Sequence, residues 1–142
     1  MMKHKSILIG LSILVISLSS CVNRSSEQLG ETMLEYSRTG GFAGFDDHLQ
    51  IDENGKAILT RRAEVYEFSI SADKLKALHD LCERASFSDL QQENNPKQQG
   101  FDLFEYELVY EGLSVKTVDG AIPNALQPII NELNQIILEY GK

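Results

Sequence analysis

Beyond its first 20 residues the chain carries two histidines, His48 and His79, one cysteine besides Cys21, and a scatter of carboxylates, so the chemistry open to it is narrow. A zinc peptidase needs two histidines one helical turn apart with a glutamate between them, and a phosphate site needs a glycine-rich loop that leads into a helix. Neither pattern occurs, nor does a closely spaced cysteine pair. Asp46, Asp47 and His48 are consecutive, and consecutive strand residues point to opposite faces. The three cannot converge on one ion and are expected to form a solvated strand surface. Glu105, Glu107 and Glu111 are expected on the wet side of a strand, because a carboxylate pair for acid–base work would need a pocket that raises one pKa. Cys82 shares a helical stripe with Leu75, Leu78, Leu81 and Ala85, which predicts a buried small apolar side chain rather than a reactive thiol. These residues predict no enzyme, no metal and no cofactor.

Cys21 belongs to a different pattern. Lys3 and Lys5 precede a low-polarity run from Ile7 to Leu18, which ends in Leu18-Ser19-Ser20-Cys21. A basic start, an apolar stretch too short to span a bilayer comfortably and small residues before a cleavage point are the parts of a secretory signal. The string resembles the lipobox of bacterial lipoproteins. That resemblance implies cleavage before Cys21, a diacylglycerol thioether on its sulfur and a further acyl chain on the new amino terminus. Two or more chains anchor a protein stably without spanning the membrane. The expected division is a signal peptide over 1–20, a lipidated cysteine and polar tether over 21–30, and a folded domain over 31–142. The expected location is the cell envelope, lipid-anchored and facing the periplasm or exterior. Val22 in place of an aspartate favours the outer membrane where the cell has one.

Loss of residues 1–20 would leave 122 residues, enough for one domain with a core. It would also remove Lys3 and Lys5 and no acidic residue, taking the formal charge from −8 to −10. Nucleic acid and anionic headgroups are thereby disfavoured as partners, whereas neutral or basic protein surfaces are not. With Cys21 acylated, Cys82 has no partner for an internal disulfide. The domain is expected to be a monomer. Val22 to Gly30 is polar and, fully extended, reaches roughly 30 Å, so the domain would work close to the membrane.

Period-two alternation places Leu34 and Tyr36 on one face of a first strand from Thr32 to the Arg38-Thr39-Gly40-Gly41 turn. The returning strand puts Ala43, Phe45, Leu49 and Ile51 at one parity, interrupted by Asp47, and Phe42, Asp46 and His48 at the other. Asp52-Glu53-Asn54-Gly55 is a turn, and Lys56 to Arg62 begins a further strand that Tyr66, Phe68 and Ile70 extend or follow. Ser71 or Asp73 caps a helix ending near Ser86. Gln91 to Gly100 reads as a surface loop. Phe104 to Tyr110 and Leu113 to Val118 form a hairpin about Glu111-Gly112, and Leu126 to Tyr140 forms a helical stripe in which Pro128 either sits in the first turn or marks the helix's true start. The expected fold is α+β: an antiparallel sheet of four to five strands with two helices packed on one face.

Arg38-Thr39-Gly40-Gly41-Phe42-Ala43-Gly44-Phe45 resembles a hairpin of the emfourin family, small protein inhibitors of thermolysin-like zinc peptidases. Asp102 to Leu108, Phe87-Ser88-Asp89-Leu90, and Val118-Asp119 followed by Pro123, Leu126, Pro128, Ile129, Ile130 and Leu133 are similar to further segments of that family, in the same order. The resemblance spans most of Met33 to Leu138. It implies a protein partner, a thermolysin-like metallopeptidase, contacted through Gly40, Gly41, Phe42, Ala43, Gly44 and Phe45, with Asp52 to Gly55 as a second contact. A carboxylate from Asp46 or Asp47 reaching the catalytic zinc would be compatible with it. The residues by themselves allow two accounts of this hairpin. A rigid tip could hold an exposed Phe42 as an anchor, or the glycines could simply make the turn while Phe42 folds onto the sheet edge. The alternative function is a noncatalytic envelope lipoprotein that binds or supports other components.

Overall fold

A computed structural model describes residues 29–93 and 102–142. The expected leader, Cys21 and the tether as far as residue 28 lie outside the described residues, as does most of the expected 91–100 loop. Six strands, β1 (Thr32–Gly40), β2 (Phe45–Asp52), β3 (Lys56–Arg61), β4 (Glu64–Ser69), β5 (Phe104–Tyr110) and β6 (Leu113–Val118), form one antiparallel sheet in the order β4-β3-β2-β1-β5-β6. The helices are α1 (Ala72–Ala85), α2 (Phe87–Glu93) and α3 (Gln127–Tyr140).

The α+β class and the alternation of the strands agree with the sequence reading, whereas the element count is larger. Lys56 to Ile70 is two strands joined by Arg62 and Ala63, with Arg61 opposite Glu64. A turn made without glycine, asparagine or proline leaves no compositional mark, which is why four to five strands were expected and six are present. The third helix is α2, one short element directly after Ser86. Ser86 adopts a left-handed φ of 52° that ends α1, and its carbonyl accepts the Asp89 and Leu90 N–H groups that start α2.

Inward side chains of the sheet, among them Leu34, Tyr36, Leu49, Ile51, Leu59 and Leu108, pack against Leu78 and Cys82 of α1 and Ile129, Ile130, Leu133, Ile136 and Ile137 of α3. Burial pushes the Cys82 thiol up to about 12, so it is neutral and unreactive at ordinary pH. Ser71, not Asp73, caps α1 by accepting the Lys74 N–H, and Pro128 sits in the first turn of α3. Phe68 stacks on Tyr140 at 4.3 Å, which fastens the end of α3 to edge strand β4. On the opposite face of the sheet Glu105 is exposed and Glu107 half-buried, the wet side expected of them, whereas Glu111, expected there too, is exposed in the turn after β5.

β1 and β2 pair from Thr32 opposite Asp52 to Gly40 opposite Phe45, so the Gly41–Gly44 turn and the Asp52–Gly55 turn stand at opposite ends, roughly 25 Å apart. The chain enters at the Asp52 end. Gly30 N–H donates to Asp52 Oδ2 at 2.8 Å, and the Asn54 and Lys56 N–H groups donate to Oδ1 at 2.9 Å each. Burial of the Asp52 carboxyl opposes its ionisation, but these three donors outweigh that cost and hold its pKa below the usual carboxylate range. Its contribution to stability is therefore complete above the unfolded value near pH 4 and is lost as pH falls through the lower folded value. Asp52→Asn would turn an amide N–H₂ toward one of these donors. It is expected to cost about 1–3 kcal/mol in denaturant melts at pH 7, with the gap to the parent narrowing below about pH 4. An unchanged midpoint at pH 7 would show that the turn does not depend on the charge.

Candidate functional site

The β1–β2 turn is built from backbone constraints outward. Gly44 N–H donates to the Gly41 carbonyl at 3.0 Å, closing a four-residue turn with Phe42 and Ala43 at its corners. Gly41 N–H donates to the Leu103 carbonyl at 3.1 Å, tying the turn to the chain just before β5. Gly40 has a φ of +93°, and a Cβ there would lie 2.5 Å from the Leu103 carbonyl oxygen, so no other residue fits without moving the backbone. The sequence left open whether Phe42 stands free or folds down; the residue is 96% exposed and stands free. Phe45, at the inward parity, is only partly covered. Its ring lies 5.4 Å from that of Phe104, and the Arg38 guanidinium sits 4.9 Å from the Phe45 centroid and 5.6 Å from that of Phe104.

Beneath the turn lies an ionic network that the sequence reading missed. Strand register places Arg38, Asp47 and Arg61 in one cross-strand row on β1, β2 and β3. Asp47 is 1% exposed. Its Oδ2 accepts from Arg38 Nε at 3.1 Å and from Arg38 Nη2, and its Oδ1 accepts from Arg61 Nε at 2.7 Å. Arg38 Nη1 also donates to Asn134 Oδ1 at 2.9 Å, an atom that accepts from Tyr36 Oη at 3.0 Å, and Arg61 Nη1 donates to the Gly141 carbonyl at 2.7 Å. The network thus joins three strands to α3 directly under the Gly40–Phe45 segment. Burial raises the Tyr36 phenol far above its ordinary range, so it stays a neutral donor.

Two expectations are corrected here. Asp47 is not part of a solvated strand surface, and with both oxygens engaged by buried arginine contacts it cannot reach a partner's zinc; Asp46, its exposed neighbour, faces the other way. Asp52 is buried and so is not a contact residue, and the rest of its turn stands a full strand away from Phe42. The signal that could have found the network was present in the sequence. Arg38 has the inward parity of Leu34 and Tyr36, Asp47 that of Leu49 and Ile51, and Arg61 that of Ala57 and Leu59.

Other chemistry is thinly represented. His48 Nδ1 and Ser37 Oγ are 2.8 Å apart on the uncovered sheet face, away from any cleft described below, and His79 lies at the Asp52 end. Among the described residues no group of three or more histidine, cysteine or acidic side chains could hold a metal ion. A cleft of about 490 Å³ beside the exposed turn is lined by Phe45, Asp46, Arg61, Arg62 and Glu64. A larger depression of about 850 Å³ at the other end lies between α1 and the Glu111-Gly112 turn. No model of a known protein family matches the chain, and no curated protein is found to match it.

Proposed function

We propose that this protein is a lipid-anchored inhibitor of thermolysin-like zinc peptidases, acting by lodging the Gly40–Phe45 turn in the active-site cleft. The observation that carries this reading is a fully exposed phenylalanine on a turn closed by its own hydrogen bond and tied to the neighbouring chain. An exposed aromatic costs solubility and returns nothing to the fold. With its backbone fixed by those hydrogen bonds, it has less entropy to lose when a pocket accepts it, which favours an interface anchor. The resemblance of the Arg38-to-Phe45 string to the emfourin hairpin supplies the class of partner. The contact would be of standard size, roughly 800 Å² on each side.

Attachment in this reading rests on acylation of Cys21, which the Leu18-Ser19-Ser20-Cys21 string suggests; among the described residues no helix is long and apolar enough to cross a membrane. The chain enters the domain at the Asp52 end, so the anchor and the Phe42 tip would lie on opposite sides and the tip would point away from the lipid surface. Gel filtration tests the proposed mode. The domain is expected to co-elute with a thermolysin-like peptidase whose cleft is free and to elute separately from the same enzyme filled with a zinc-binding hydroxamate. Co-elution in both cases would move the contact outside the cleft.

A further inference from the structure

Arg62 is the first residue of the two-residue β3–β4 turn and has a φ of +54°, a left-handed conformation in which glycine or asparagine is usual. The side chain at this unfavourable position is not idle. Its Nη2 donates to the Ala43 carbonyl at 2.9 Å, across 19 residues of sequence, and its backbone N–H donates to the Asp46 carbonyl at 2.9 Å. The carbonyl it holds lies between Phe42 and Gly44, at the corner of the exposed turn. An exposed hydrogen bond of this kind adds little to folding stability, and an arginine in left-handed geometry subtracts from it. For stability alone, glycine would serve better here.

We infer that Arg62 is a positioning residue: it is kept at a strained turn so that its guanidinium can fix the corner from which Phe42 projects. The second hairpin thereby braces the first. The role in inhibition rests on the function proposed above, but the bracing itself does not, and the two are separable by experiment.

Arg62→Gly relieves the left-handed strain while removing the brace. Its thermal midpoint is expected to equal or exceed that of the parent. Under native conditions chymotrypsin, used as a probe that cuts after phenylalanine, is expected to cleave the variant after Phe42 at least about 5-fold faster than the parent, because the corner is free to open. Inhibition of a susceptible thermolysin-like peptidase is expected to weaken by about 5- to 10-fold in the variant and to weaken no further when Arg62→Gly is added to Phe42→Ala, since Arg62 acts through Phe42. Unchanged cleavage after Phe42 would overturn the bracing role whatever the inhibition data say. Faster cleavage with undiminished inhibition would overturn its part in presenting the anchor. If the parent inhibits no peptidase, the proposed function falls while the cleavage comparison still decides the brace.

Discussion

Replacing Asp47 with alanine is expected to cost the domain about 3–5 kcal/mol of folding stability, the penalty for breaking a buried ion pair from one side. Asp47 itself has no exposed side-chain surface, and the Arg38 side chain it neutralises is only 12% exposed. Removing the carboxylate leaves that guanidinium with Asn134 as a hydrogen-bond partner but with no counter-charge. Arg61, at 26% exposure, is closer to water and loses less. A domain of this size should lose roughly 12–25 °C in thermal midpoint. Asp47→Asn, which keeps the shape and one acceptor oxygen, should fall between alanine and the parent. Glu105→Gln, on the exposed face of the sheet, should stay within about 0.5 kcal/mol of the parent and serves as the control for a simple change of charge. A loss below about 1 kcal/mol for Asp47→Ala, measured by denaturant unfolding, would mean that Arg38 reaches water in the folded state and that the row is not a closed network.

The second large effect concerns function and should leave the fold untouched. Phe42 is 96% exposed, so Phe42→Ala removes no buried surface and should shift the thermal midpoint by less than the error of the measurement. Its inhibition constant against a susceptible peptidase is expected to rise about 10- to 30-fold, equivalent to about 1.4–2 kcal/mol, as for truncation of an aromatic anchor. Leucine at this position should retain more of the inhibition than alanine, because what the cleft would accept is apolar volume. An unchanged constant for Phe42→Ala would remove Phe42 from the contact even if the protein inhibits.

The sheet was legible in the sequence wherever burial follows period two. Leu34 and Tyr36, Leu49 and Ile51, and Tyr106, Leu108 and Tyr110 all face the core as their spacing requires. The wide stripe from Leu126 to Tyr140 was equally plain, because Leu126, Ile129, Ile130, Leu133, Ile136 and Ile137 are all buried at helical spacing. What was hidden depends on pairing between strands. Asp47 looks like an interruption of its strand until register sets it between Arg38 and Arg61, nine residues before it and 14 residues after it. Its neutralisation is thus a property of three strands together. The β3–β4 turn was hidden for another reason: Arg62 takes a conformation usually signalled by glycine, and only its contact with Ala43 accounts for an arginine there. In the candidate site the Arg38–Phe45 string stood out in the sequence, whereas Leu103, Phe104 and Arg62, which the turn contacts, come from elements far apart in the chain.

The most direct test of whether this domain occludes a metallopeptidase cleft is to titrate a chain that starts at Asn23 against a panel of thermolysin-like peptidases while following hydrolysis of a short peptide. The account predicts that at least one enzyme loses activity linearly up to one equivalent of added protein. Full activity of every enzyme in the presence of excess protein, with the domain shown to be folded by its thermal melt, would contradict it and would favour a noncatalytic binding lipoprotein of the envelope.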